Sequence, residues 1–153
     1  MSSGLSSLVA ALGMARPVVH QNAPPPPNVV DPICKLPGDP SLVLHTSQLI
    51  ADKPELLKKL SKAVAVSLNK PEQYVAVAIH DGVAMCFGGS TDPCAVGCAY
   101  SIGAINLENN KALSASVSEL LLAACDIPSD RIYINVFDVP RENCLWSGRT
   151  FAG

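Results

Sequence analysis

Long apolar runs are missing from this sequence. None approaches the ~18 to 20 residues a membrane-spanning helix needs, so no membrane span is expected. A basic excess is missing too. Eleven Lys and Arg stand against thirteen Asp and Glu, the net charge is -2, and no Lys/Arg stripe runs through the chain. Aromatics make up only 5%, so the stacking platforms of nucleic-acid binders are scarce. A nucleic-acid partner is therefore not expected. Metal-ligand spacing is absent. His20, His45 and His80 are scattered, and Cys94 and Cys98 are separated by three residues, so they form no CxxC. Neither a metal nor an organic cofactor is implied. The other cysteines (Cys34, Cys86, Cys125, Cys144) follow no disulfide framework, and free, mostly buried thiols are expected.

What is present is a chain of 153 residues, 48% apolar and 16% charged, enough for one domain with a real core. Residues 1–39 differ from the rest. They hold seven of the thirteen prolines, including Pro24–Pro27, and only two acids, Asp31 and Asp39. A proline tetrad favours extended polyproline II and cannot join a helix or a central strand. This segment is expected to be a disordered extension or a targeting segment. Leu8 to Ala15 would serve as a short apolar region before a cut, but no Lys or Arg precedes it, as a secretory signal requires. The expected location is cytoplasmic or non-classically secreted, with organelle targeting by residues 1–39 as the alternative. A separate domain is expected over residues 40–153.

From Pro40 onward the chain repeats itself at an offset of 57 residues. Pro71 to Asp81 lines up with Pro128 to Asp138. Ahead of each lies an amphipathic helical pattern: Leu56, Leu57, Leu60, Val64 and Leu68 in one, Leu113, Val117, Leu120, Leu121 and Ala124 in the other. Asp52 with Glu55 suggests a capping box, and Pro54 is tolerated in a first turn. Leu42-Val43-Leu44 lines up more weakly with Ala99-Tyr100-Ser101. Val75 to Ile79 is apolar on successive residues, as in a strand covered on both faces, by a helix on one side and a neighbouring subunit on the other. Val83 to Phe87 adds a short strand. Each half thus reads strand, helix, strand, and the fold class is α+β with a tandem β-α-β repeat. Helices are too few to cover the sheet's second face, which hints at oligomerisation.

One run is more specific than any of this. Asp92-Pro93-Cys94-Ala95 followed by Ser101-Ile102-Gly103 resembles the signature of the macrophage migration inhibitory factor and D-dopachrome tautomerase family. Further landmarks stand in the same order: Pro40 before a strand, Asn69-Lys70-Pro71, Phe87-Gly88-Gly89-Ser90, Asp130 to Asn135, and Trp146 with Thr150-Phe151-Ala152. The resemblance spans Pro40 to Ala152. It implies a tautomerase-like homotrimer with each active site between two subunits.

The same resemblance implies roles. Pro40 would be the catalytic base, a terminal secondary amine that an apolar pocket keeps unprotonated near neutral pH. As encoded, its nitrogen is an amide to Asp39 and has no basicity. Read without the resemblance, it is an ordinary proline at a strand start. Lys70 would bind the substrate's oxygens, where an enolate develops; otherwise it is a lysine completing a helix dipole. Ile102 would offer its main-chain N–H. Tyr133 and Asn135, two apart on a strand and so on one face, would also hold substrate. An asparagine in an apolar strand is costly unless paired. Trp146 and Phe151 would form an apolar wall, or else serve as ordinary core aromatics. Departures from the family pattern are Gly97 at the second cysteine of its CxxC, Tyr100 in place of a histidine near the pocket, and Val139 and Cys144 near the pocket mouth. Gly88-Gly89-Ser90-Thr91 superficially suggests a phosphate loop, but it lacks the Lys-Ser/Thr ending, and a turn is expected.

The function this implies is keto–enol tautomerisation of a small aromatic 2-oxo acid, of phenylpyruvate or dopachrome type, once processing exposes Pro40. Two alternatives belong to other classes. One is a cytokine-like signalling or interaction protein, which needs no free Pro40. The other is a pseudoenzyme whose extension blocks the pocket.

Overall fold

The computed structural model describes residues 39–153. The proline tetrad, the run from Leu8 to Ala15, His20 and Cys34 lie outside the described residues, and so does the expected extension apart from Asp39.

Strand β1 (Pro40–Thr46) is buried at every second residue: Pro40, Leu42, Leu44 and Thr46. That period of two puts one face of the strand against the core. Helix α1 (Lys53–Ser67) follows. Asp52 caps it by accepting from the Glu55 N–H, with Pro54 in the first turn. The reciprocal half of the capping box is replaced, since Glu55 pairs with Lys59 one turn on, at 3.5 Å. Strand β2 (Ala76–His80) comes back parallel to β1.

The second half repeats the first. It comprises β3 (Ala95–Ser101), α2 (Leu107–Cys125) and β4 (Ile132–Asp138). Asn106 caps α2 by accepting from the Asn109 N–H, a signal the periodicity did not carry. The strand order is β2-β1-β3-β4, with parallel outer pairs and an antiparallel central pair, β1 against β3. Two β-α-β units thus share one sheet, back to back. The hairpin β5 (Leu145–Trp146) and β6 (Arg149–Thr150) turns through Ser147 and Gly148, both at positive φ, as a two-residue turn of this hand requires.

Both helices lie on one face of the sheet. Leu42 and Leu44 pack there against Leu60, Val64, Leu113, Val117 and Leu121, all fully buried. Each such side chain contributes about 1.5–3 kcal/mol of transfer free energy. Leu57 is only partly buried and Ala124 is exposed, so the two helical stripes are narrower than the sequence pattern.

Two expectations need correction. The first strands of the two repeats align at an offset of 55, Pro40–Thr46 with Ala95–Ser101, while the later segments keep 57. The β1–β2 and β3–β4 ladders are therefore shifted by two residues relative to each other: Ser41 faces Ala76, but Val96 faces Tyr133. A shift of two preserves which side chains face the core. The helices cover β2 and β4 on one face, and the second face, expected against a neighbouring subunit, is open in the single chain. Val77, Ile79, Ile132, Ile134 and Val136 pack toward the helices, and the opposite face leaves Val96, Tyr100, Tyr133 and Phe137 exposed. Second, Val83 to Phe87 forms no strand, since a single bond from the Val83 N–H to the Thr46 carbonyl and an isolated bridge of Phe87 with Ser90 make no ladder. Gly88 and Gly89 sit at φ 59° and 82° between those two residues, so this is a tight turn and not a phosphate loop.

The five described cysteines are free, with Cys94, Cys125 and Cys144 buried. The fold also joins two histidines that the sequence scatters. His45 and His80 are ladder partners, and their rings stack at 4.8 Å.

Candidate active site

The ends of β1 and β3 meet where the candidate residues gather. Pro40 opens β1, is fully buried, and pairs across the ladder with Ser101, the last residue of β3. Ile102 follows directly. Its N–H donates to the carbonyl oxygen of Asp39 at 3.2 Å. The carbonyl that makes the Pro40 nitrogen an amide therefore occupies the donor expected to bind substrate.

Lys70 reaches this point from the end of α1. Asn69 adopts φ 50°, and the Lys70 N–H bonds back to the Ala65 oxygen while the Asn69 N–H bonds to Val66. This Schellman turn ends the helix and reverses the chain. Pro71 then holds an extended backbone. The turn folds Lys70 inward until it is only 6% exposed, and its ammonium donates to the carbonyl of Ile102 at 2.7 Å. A buried ammonium needs such partners, because its desolvation is otherwise costly. Sequence reasoning placed Lys70 at a helix end but gave no sign of this contact.

Trp146 and Phe151 line a cleft of about 300 Å³ together with Asp39, Tyr74 and Cys144. Trp146 lies 5.9 Å from Phe151 and 6.1 Å from Tyr74, ring centre to ring centre. Tyr74 is a wall residue that the sequence reading missed; its place three residues after Pro71 was the available signal. Arg141 clamps the far side by donating to the Phe151 carbonyl, and the Phe151 N–H donates to Cys144. Cys144 lines the same cleft, and its thiol contacts the Asp39 carboxylate at 3.5 Å. Burial foremost, then the Asp39 charge and hydrogen bond, push that thiol up to about 11. Val139 lies on the adjoining side, near Ile102 and Asp138.

Tyr133 and Asn135 are not brought to Pro40 within one chain. They share the exposed face of β4, Asn135 opposite Cys98 and Tyr133 opposite Val96, while Pro40 faces the helices. Tyr133 packs against Phe87, and Arg131 lies over the same ring. Tyr100, expected near the pocket, is on this open face as well, stacked on Phe137 at 5.2 Å. Alternation along β3 decides this: Ala99 and Ser101 face in, so Tyr100 faces out. Gly97 has a steric reason. A Cβ there would lie 2.4 Å from the Val43 oxygen and 2.7 Å from Leu44 Cδ2.

Two β-α-β units on one sheet, with a buried proline opening the first strand beside an inward lysine, define a tautomerase-fold α+β protein. The chain belongs to the macrophage migration inhibitory factor family, whose model matches residues 40–152. It is 39% identical over 114 residues to the macrophage migration inhibitory factor of Meriones unguiculatus, covering 74% of this chain and 99% of the relative. With that of Xenopus laevis it shares 41% over 97 residues, 63% of this chain and 84% of the relative. Among solved structures, the homologue from Prochlorococcus marinus superposes with a TM-score of 0.69 at 37% identity, over 72% of this chain and 98% of that one.

Proposed function

We propose that residues 40–153 form a cofactor-independent keto–enol tautomerase for small aromatic 2-oxo acids, latent while Asp39 remains bonded to Pro40. One observation carries this reading: the carbonyl of Asp39, a residue that lines the aromatic cleft, holds the Ile102 N–H at 3.2 Å, directly before the candidate base. Cleavage of the Asp39–Pro40 bond would free both the amine and the donor.

In the freed form, the Pro40 amine takes a proton from the carbon beside the substrate's carbonyl. The electron pair moves onto the carbonyl oxygen. Lys70 and the Ile102 N–H stabilise the enolate, and the protonated amine then returns the proton to oxygen or to another carbon. Trp146 and Phe151 would hold the aromatic ring. Tyr133 and Asn135 would serve the site of a neighbouring copy in a homotrimer, which suits their place on the open sheet face.

The test compares full-length protein with a chain beginning at Pro40, using phenylpyruvate and dopachrome methyl ester. Turnover is expected only from the shorter chain, with the termini checked by mass spectrometry. Equal turnover by uncut protein would rule out the proline mechanism. A monomer at micromolar concentration in light scattering would rule out the trimer. A second reading concerns the uncut chain. Its Pro40 nitrogen is an amide, so full-length protein would act as a signalling or interaction protein and not as an enzyme.

A further inference from the structure

Ser101 is fully buried, yet its hydroxyl has no hydrogen-bond partner among the described residues. Burying an unpaired hydroxyl costs free energy, and folded proteins rarely tolerate it without a reason. Its place in the ladder supplies one. The Ile102 N–H bonds to the Asp39 carbonyl, so Asp39 and Ile102 are a hydrogen-bonded pair. The next pair, Pro40 and Ser101, is then a non-hydrogen-bonded one. In such pairs the two side chains share a face with their Cβ atoms about 4.5–5.5 Å apart. Here that face is the buried one, and the Pro40 side chain is the ring that contains its nitrogen.

While Asp39 is attached, the Pro40 nitrogen has no hydrogen and its lone pair is delocalised into the amide. It can neither give nor accept a hydrogen bond. Cutting the bond makes a secondary ammonium with two N–H donors, or an amine with one donor and a lone pair. A hydroxyl can accept from the first and donate to the second.

We propose that Ser101 is the positioning residue of the Pro40 amine, its hydroxyl left without a partner among the described residues because its partner is the group that cleavage creates. The inference rests on the proposed function, in that it requires a freed Pro40. It goes beyond that reading by assigning the hydroxyl that orients the base. The other charged groups around this end of the sheet are Lys70, bound to the Ile102 carbonyl, Asp138, bound to the Gly103 N–H, and Arg141, bound to the Phe151 carbonyl. The Asp39 carboxylate departs with the cleaved segment.

The experiment uses a chain beginning at Pro40 and labelled with [15N]proline. The amine is titrated by NMR with Ser101, Ser101→Ala and Ser101→Thr. A hydrogen bond accepted from the ammonium favours the charged form, so Ser101→Ala is expected to lower the amine pKa by about half a unit or more, with Thr restoring it. In phenylpyruvate turnover, Ser101→Ala should lower kcat by about 10-fold or more while KM changes little. In the intact chain the same substitution removes only an unpaired group, so its melting temperature should stay level or rise. An unchanged amine pKa, or a clear loss of stability in the intact chain, would overturn the proposal. If the Pro40 chain turns nothing over even with Ser101, the tautomerase reading fails, and the NMR titration still decides the role of Ser101.

Discussion

The ammonium of Lys70 donates to the carbonyl oxygen of Ile102 at 2.7 Å, tying the end of the first helix to the end of the third strand across 32 residues of chain. That bond makes Lys70 structural as well as a candidate for chemistry. Lys70→Met keeps the apolar stem but leaves the Ile102 oxygen unpaired. The variant is expected to lose about 1–3 kcal/mol of stability, read by urea unfolding. In a chain beginning at Pro40 it should also lose about 2–4 kcal/mol of transition-state stabilisation, read as kcat/KM. Unchanged turnover in a folded variant would remove Lys70 from the enolate site.

The Cys144 thiol, pushed up to about 11, should react slowly with iodoacetamide at pH 8, and the exposed Cys86 should react quickly. Burial is the larger cause, and the Asp39 carboxylate adds to it. Asp39→Asn removes that negative charge, so the Cys144 pKa should fall and alkylation should speed up. Peptide mapping by mass spectrometry reads both rates. No change on substitution would mean that burial alone sets the value.

Asp81 accepts from Lys53 at 2.9 Å and from the Ile50 N–H at 3.0 Å, which hold its carboxyl below the ordinary value of 3.8. A depressed carboxyl stabilises the fold above the unfolded pKa, and that contribution disappears as pH falls through the folded pKa. Asp81→Asn should therefore melt lower than the parent near neutral pH, with the gap constant down to about pH 5 and closing below pH 4. Thermal melts across pH check this. A gap that persists at low pH would mean that the ionised carboxylate is not what stabilises.

Gly97→Ala places a Cβ against the backbone oxygen of Val43 at 2.4 Å, where no flexible side chain can move aside. The β1–β3 ladder must shift, at about 1–3 kcal/mol. Urea midpoints measure the loss, and an unchanged midpoint would show that the strand pair accommodates a side chain freely.

Local periodicity made much of this fold legible. Leu56, Leu60, Val64 and Leu68 mark one helix face, Leu113, Val117 and Leu121 the other, and all are buried. Asp52 announces its cap, and the paired Pro71 and Pro128 segments announce the repeat. The family landmarks named Pro40, Lys70 and Ile102 as one group, and they meet at one end of the sheet. Those signals are readable because they act over a few residues, through side-chain period, caps and turns. Pairing register is different. It joins residues far apart in the chain and depends on which strands become neighbours. Only the tertiary structure could place the Asp39 carbonyl on the Ile102 N–H, bury the Lys70 ammonium against Ile102, pair Ser101 with Pro40 while leaving its hydroxyl without a partner among the described residues, and stack His45 on His80. It also set Tyr133 and Asn135 on the face opposite Pro40, since strand alternation fixes which residues share a side but not which side meets the helices.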